Sequence, residues 1–218
     1  MLQLFVMISL YYVKGQIATP HNLSLGTSFI RSEDQYFNIN GSPYLNDEWG
    51  KGVVKLNGGK SYRNVDIKFD ELEQQVVIKG ENDLIYKFVD TVKEFNINYV
   101  VEGNVHTAHF ISGYGDNKNA FYEVLTDGSL VLLKSTDKKI NSILSFPVGS
   151  ERSKTILRTN DYFILKDGKL LKIKPDEKSI LKAVGNNEAE LASYIKLNKL
   201  DVKHDADLIN LIAHYNSI

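Results

Sequence analysis

The chain contains no cysteine. A disulfide framework, a thiolate metal site, a cysteine nucleophile and lipid attachment through a cysteine of this chain are therefore excluded. Proline is scarce, at 4 of 218 residues, and with 15 glycines this rules out collagen-like and proline-rich low-complexity chains. Neither sign of charge is in excess: Lys and Arg total 26, Asp and Glu 27, for a net charge of −1. A strongly basic nucleic-acid binder needs a cationic surface that displaces counterions from phosphates, so that class is excluded too. After residue 13 no apolar run approaches the roughly 20 residues that a membrane-spanning helix requires.

What is present is ordinary for a folded chain: 43% hydrophobic and 24% charged residues. A chain of this length buries about 70% of its unfolded surface, so a core suffices without staples. Residues 4–13 (LFVMISLYYV) form a ten-residue apolar run, too short to span a bilayer and matched to a signal-peptide h-region. Val13 and Gly15 then occupy the −3 and −1 positions, which predicts a signal over residues 1–15 and a mature start at Gln16. The segment before the run carries no Lys or Arg. The expected location is periplasmic or extracellular.

The middle of the chain reads as antiparallel strands. Val65, Ile67 and Phe69 alternate with Asn64, Asp66, Lys68 and Asp70, and Phe95, Ile97, Tyr99 and Val101 alternate with Glu94, Asn96 and Asn98. A period of two predicts one face on the core and one in water. Asn57-Gly58-Gly59, Gly80-Glu81-Asn82-Asp83, Asp127-Gly128 and Asp167-Gly168 punctuate these runs. The two Asp-Gly pairs predict type I′ hairpin turns, which need positive φ at both central residues. Residues 122–140 (YEVLTDGSLVLLKSTDKKI) align without gaps to residues 162–180 (YFILKDGKLLKIKPDEKSI), predicting two copies of a hairpin followed by a charged turn. Two copies are too few for a solenoid.

After Pro175 the period changes to 3.6. Residues 179–184 predict a short helix stopped by Gly185. Asn187 and Glu190 have the spacing of a capping box that opens a second helix with the stripe Leu191, Tyr194 and Ile195. Asp205 is expected to cap a third, whose stripe is Leu208, Leu211, Ile212 and Tyr215. The expected fold class is α+β: mainly antiparallel β, as a sandwich or partly closed barrel, with a C-terminal segment of about three helices. The expected divisions are residues 16–175 for the β-rich domain and 176–218 for helices packed on or beside the sheet.

No familiar catalytic motif survives inspection. Gly59-Lys60-Ser61 ends like a phosphate-binding loop, but position 54, where that motif needs glycine, is Val54. Gly113-Tyr114-Gly115 lacks the third glycine of a dinucleotide site, and no G-x-S-x-G elbow occurs. His106 and His109 fall on opposite faces of a strand, and His204 with Asp205 and Asp207 lacks a metal-binding framework. No metal or cofactor is therefore expected. The least ordinary segment is residues 41–52 (GSPYLNDEWGKG), which holds the single tryptophan. Tyr44 and Trp49, with Asp47, Glu48 and the glycines beside them, fit either a sugar or small-ligand site or a loop that plugs the open end of the sheet. Asn22-Leu23-Ser24 and Asn40-Gly41-Ser42 fit the N-glycosylation sequon, and 22 Lys against 4 Arg suggests an AT-rich bacterial genome.

The G-S-P-Y-L loop at residues 41–45, the G-K-S-Y hairpin at 59–62, the Y-E-V-L-T-D-G hairpin at 122–128 and the tail ending in Tyr215-Asn216 resemble a group of exported, β-rich proteins of Bacteroidota with no established activity. The resemblance runs from about Asn40 to the end of the chain. It implies export, and an O-glycosylation motif at Asp90-Thr91-Val92, and it carries over no catalytic residue. The expected function is a non-catalytic envelope protein that binds or assembles with a protein or small ligand. The alternative is a small-ligand carrier or hydrolase with its site near Trp49. Neither nucleic acid nor a membrane span after signal removal is expected.

Overall fold

A computed structural model describes residues 17–18, 27–30, 36–80, 84–143 and 153–218. The signal segment, the Asn22 sequon and turn residues 81–83 lie outside the described residues. In chain order the strands are β1 (Ile17–Ala18), β2 (Thr27–Ile30), β3 (Ile39–Asn40), β4 (Gly50–Leu56), β5 (Ser61–Asp70), β6 (Gln75–Lys79) and β7 (Ile85–Phe88). Then come β8 (Val92–Val101), β9 (Asn104–Ile111), β10 (Tyr122–Thr126), β11 (Val131–Ile143), β12 (Ser153–Lys166) and β13 (Lys169–Ile173). Three helices close the chain: α1 (Glu177–Val184), α2 (Glu188–Asn198) and α3 (Asp205–Ser217). The fold is α+β, with the helices at the C-terminus.

All the strands join one open sheet in the order β13-β12-β11-β10-β9-β8-β4-β5-β6-β7-β2, with β1 beside β5 and β3 beside β12. Pairing is antiparallel except at those two short strands. The sheet does not close on itself, but it rolls. Strands β5 and β9 stand three spacings apart, about 14 Å in a flat sheet. Yet the rings of Phe69 and Phe110 are 5.0 Å apart, and Phe69 also meets Phe95 at 5.2 Å. The roll encloses a core of Val54, Tyr62, Ile67, Phe69, Ile78, Phe95, Ile97, Phe110 and Phe121, among others.

A second core lies on the same face. The register Phe110↔Glu123↔Lys134↔Tyr162↔Ile173 runs straight across β9 to β13, so these side chains share a side. There the three helices cover Leu130, Leu132, Tyr162, Ile164 and Ile173 with Ile180, Val184, Leu191, Leu208, Leu211 and Ile212. The helical stripes expected from the 3.6 period are thus buried, Leu211 completely.

Helix ends conform in one case and depart in two. Asp176 caps α1 by accepting from the Ser179 amide at 2.9 Å, and Gly185 ends it in the left-handed region at φ 75°. Asn187 precedes α2 but sits at φ 56°, and its side chain makes no cap bond, so the capping box does not form. A capping side chain needs an extended backbone at that position, and the tight α1–α2 link denies it. His204, not Asp205, stands at the start of α3. Asp205 turns to the sheet, where it meets Lys134 and Tyr162.

The hairpins also divide. Asp167 and Gly168 have φ 50° and 73°, as a type I′ turn requires. At Asp127-Gly128 only the glycine is left-handed, at φ 147°. That loop is shaped instead by Asn216 of α3, whose amide oxygen accepts from the Leu130 amide at 2.9 Å and whose nitrogen donates to the Leu130 carbonyl at 2.8 Å. The two similar segments diverge after their hairpins. Where the second has Pro175 and Asp176, which end a strand and cap a helix, the first has Ser135 and Thr136. Residues 135–140 therefore continue along β11, and the expected charged turn is absent there.

The alternation in β5 and β8 holds for the core face, but two corrections follow. Lys68 and Asp70, expected in water, are buried. Val101, expected on the core face, is exposed at the end of β8. Gly50 and Gly52 serve close packing rather than flexibility. A Cβ on Gly52 would fall 2.4 Å from Ile67 Cδ1 and 2.5 Å from the Asn96 carbonyl oxygen.

Candidate functional site

Residues 36–49 run beside the end of β5, with Tyr44 paired to Asp70, and the side chains of Tyr36, Tyr44 and Trp49 explain the burial of Asp70 and Lys68. The loop is tied to the strand by backbone bonds from the Leu45 amide to the Phe69 carbonyl and from the Glu71 amide to the Pro43 carbonyl, both 2.9 Å. The Tyr36 hydroxyl donates to Asp70 Oδ2, and the same carboxylate accepts from the amides of Leu72 and Glu73. Burial first, then the Asp70 carboxylate, pushes the Tyr36 phenol far above its ordinary pKa. From the neighbouring half of the sheet, Lys138 Nζ donates to the carbonyls of Ser42 at 3.0 Å and Tyr44 at 2.6 Å. Its ammonium lies 2.9 Å from Glu71 Oε2, an ion pair rather than an aligned hydrogen bond. Both partners are nearly inaccessible, Lys138 at 8% and Glu71 at 1%.

Within this frame the expected site residues separate. Tyr44 and Trp49 are brought together: the Lys68 ammonium lies 5.0 Å from each ring centroid, a cation held between two aromatic faces. Tyr36 meets Tyr44 edge-on at 6.0 Å. Asp47 turns back on its own loop and accepts from the Ser42 hydroxyl. Glu48 is exposed, and its backbone carbonyl accepts from Asn46 Nδ2 at 3.0 Å. A depression of about 400 Å3 is lined by Tyr36, Ser42, Pro43, Tyr44, Asp47 and Lys68, with neither Glu48 nor Trp49 in its wall. Among the described residues no three His, Cys, Asp or Glu side chains converge as a metal site would require.

Sequence reasoning passed over Lys68, Asp70, Glu71 and Lys138. Lys68, Asp70 and Lys138 are charged residues in strands and Glu71 directly follows β5, and only the loop packed against them distinguishes them from solvated neighbours. It also passed over a second charged group at the helix–sheet junction. Lys134 Nζ lies 2.9 Å from Glu123 Oε2 and 3.0 Å from Asp205 Oδ2, and the Tyr162 hydroxyl donates to Asp205 Oδ1. Burial opposes the charge on Lys134, but the two carboxylates outweigh it and raise its pKa. Burial likewise opposes the charge on Asp205, and the Tyr162 hydroxyl and Lys134 together bring its pKa below the ordinary value. Burial, then the Asp205 carboxylate, pushes the Tyr162 hydroxyl up to about 12.

This junction has a measurable pH signature. A phenol whose pKa is raised by folding stabilises the fold while it is protonated. That contribution is complete below pH 10 and is lost as the pH rises towards about 12. The Tm of the wild type is expected to fall more steeply across that window than that of Tyr162→Phe. Parallel alkaline limbs in the two proteins would show that folding does not raise the pKa of Tyr162.

Other motifs find plain positions. Thr91 is exposed in the bend between β7 and β8, and Asn40 is exposed in β3. Among the described residues no helix is long and apolar enough to cross a membrane. Compared with family models, curated proteins and solved structures, the chain matches none.

Proposed function

We propose that the chain is an exported, non-catalytic envelope module that works by binding or assembly, akin to the Bacteroidota group that its motifs resemble. The observation that carries this reading is an apolar projection. Beyond Asn98, β8 no longer pairs with β4, and beyond Phe110, β9 no longer pairs with β10. The hairpin tip between them exposes Val100, Val101 and Val105. Exposed apolar side chains gathered on one projecting element mark contact with another molecule. The aromatic and charged side chains beside β5, by contrast, are engaged with one another in fixing the loop to the sheet.

A second reading is favoured by the depression beside Tyr44 and Asp47, which would suit a small-ligand carrier or a hydrolase of small substrates. Native mass spectrometry of protein isolated from its host's envelope separates the two. The first reading expects a chain beginning at Gln16, associated with protein and free of small molecules. A small-molecule mass excess lost on denaturation, together with Trp49 fluorescence that responds to the released compound, would replace it with the second. A chain retaining Met1 would overturn export.

A further inference from the structure

The projecting hairpin has a defined edge. Its turn residues Glu102 and Gly103 have φ 51° and 80°, the two left-handed positions of a type I′ turn, with Val101 opposite Asn104. A two-residue turn of this type makes Val101 and Asn104 a narrow hydrogen-bonded pair. Counting along the unbroken register, Tyr99/His106 and Ile97/Ala108 are the next pairs bonded to each other. The amides and carbonyls of Val105, Thr107 and His109 therefore point away from β8. On that outer side β10 pairs with Phe110 and Ile111, and the wide Phe110–Glu123 pair is closed by the His109 carbonyl and the Val124 amide, so among the described strands it is Val105 and Thr107 that have no ladder partner.

Natural sheet edges that must stay single carry lysine, proline or a bulge. Residues 104–109 (NVHTAH) have no Lys, Arg, Asp, Glu or Pro, and the β8–β9 register has no shift. Val105, at 73% exposure, and its cross-strand neighbour Val100, at 54%, stand beside this edge on the outer face of the sheet.

We propose that β9 pairs antiparallel with β9 of a second copy of this chain, extending the two sheets into one across a two-fold axis. This rests on the assembly reading and names its partner. A free antiparallel edge is complementary to itself under two-fold rotation. With the axis beside His106, each Val105 faces the partner's Thr107. The outward groups of both residues are then satisfied. No formal charge lies in the paired segment, so no like charges oppose one another. Five residues a side bury less than the roughly 1,200 Å2 at which stable interfaces begin, so the dimer is weak and depends on concentration.

Sedimentation equilibrium from about 1 μM to 1 mM is the test, a range that brackets weak association. The full chain is compared with Val105→Lys and Thr107→Pro. The first places a charge beside the edge. The second removes one outward amide and leaves the backbone bonds to β8 intact, with loss of the Thr107 hydroxyl's bond to Asn98 Oδ1 at 2.7 Å. The wild-type mass is expected to rise towards twice the monomer, and each variant to weaken association at least about tenfold with unchanged circular dichroism. A wild type that stays monomeric throughout, or dimers indifferent to both variants, would overturn the proposal. A different protein recovered on the native chain, with no dimer, would also overturn self-pairing while leaving the assembly reading intact.

Discussion

Leu211→Asp is expected to lower stability by about 4 kcal/mol or more, because it places a charge where a packed leucine had no contact with water. Leu211 is completely buried between the helices and the face of β10–β13. For a chain of this size each kcal/mol shifts Tm by about 2–4 °C, so a fall of about 8–16 °C is expected. The loss should begin in the helical layer. Hydrogen exchange is expected to accelerate first in α1 to α3, which pack on Leu132, Ile164 and Ile173 but share no strand ladder with them. The apolar face thus bared would promote aggregation. A variant that melts within a few degrees of wild type would mean that the stripe is not part of the core.

Lys138→Met is the second large effect, and it acts at the other core. Removing the ammonium strands the Glu71 carboxylate in a site that is 1% accessible. Breaking a buried pair in this way costs about 3–5 kcal/mol. The carbonyls of Ser42 and Tyr44 lose their donor at the same time, so the loop over β5 loses a tie to β11. Denaturant unfolding should report the loss, and limited proteolysis should find new cleavage within residues 36–49. Adding Glu71→Leu is expected to restore much of the stability, because two apolar side chains of similar volume avoid burying any charge. If Lys138→Met unfolds within 1 kcal/mol of wild type, the estimate of about 3–5 kcal/mol fails, and water reaches the pair.

These two variants probe opposite kinds of residue. Leu211 announces itself: with Leu208, Ile212 and Tyr215 it repeats at helical spacing, and that spacing is a property of the local backbone. Lys138 does not, since nothing within several residues of it differs from a solvated strand lysine. The expected ligand-binding residues fall between these cases. Tyr44 and Trp49 stood out by composition, and the structure brings both to one cation. That cation, Lys68, was hidden because it alternates with Ile67 and Phe69 as a water-facing residue would.

The strands, their alternation, the Asp167-Gly168 turn and the helical stripes were determined by the sequence itself, since each follows from backbone geometry over a few residues. Tertiary structure alone decided that Asp205 would join Tyr162 and Lys134 rather than cap a helix, and that Glu71 and Lys138 would meet across 66 intervening positions. It alone decided that β10 would pair with only the far end of β9. A charge or a strand edge is solvated or enclosed according to what the rest of the chain lays over it, and local pattern carries no record of that.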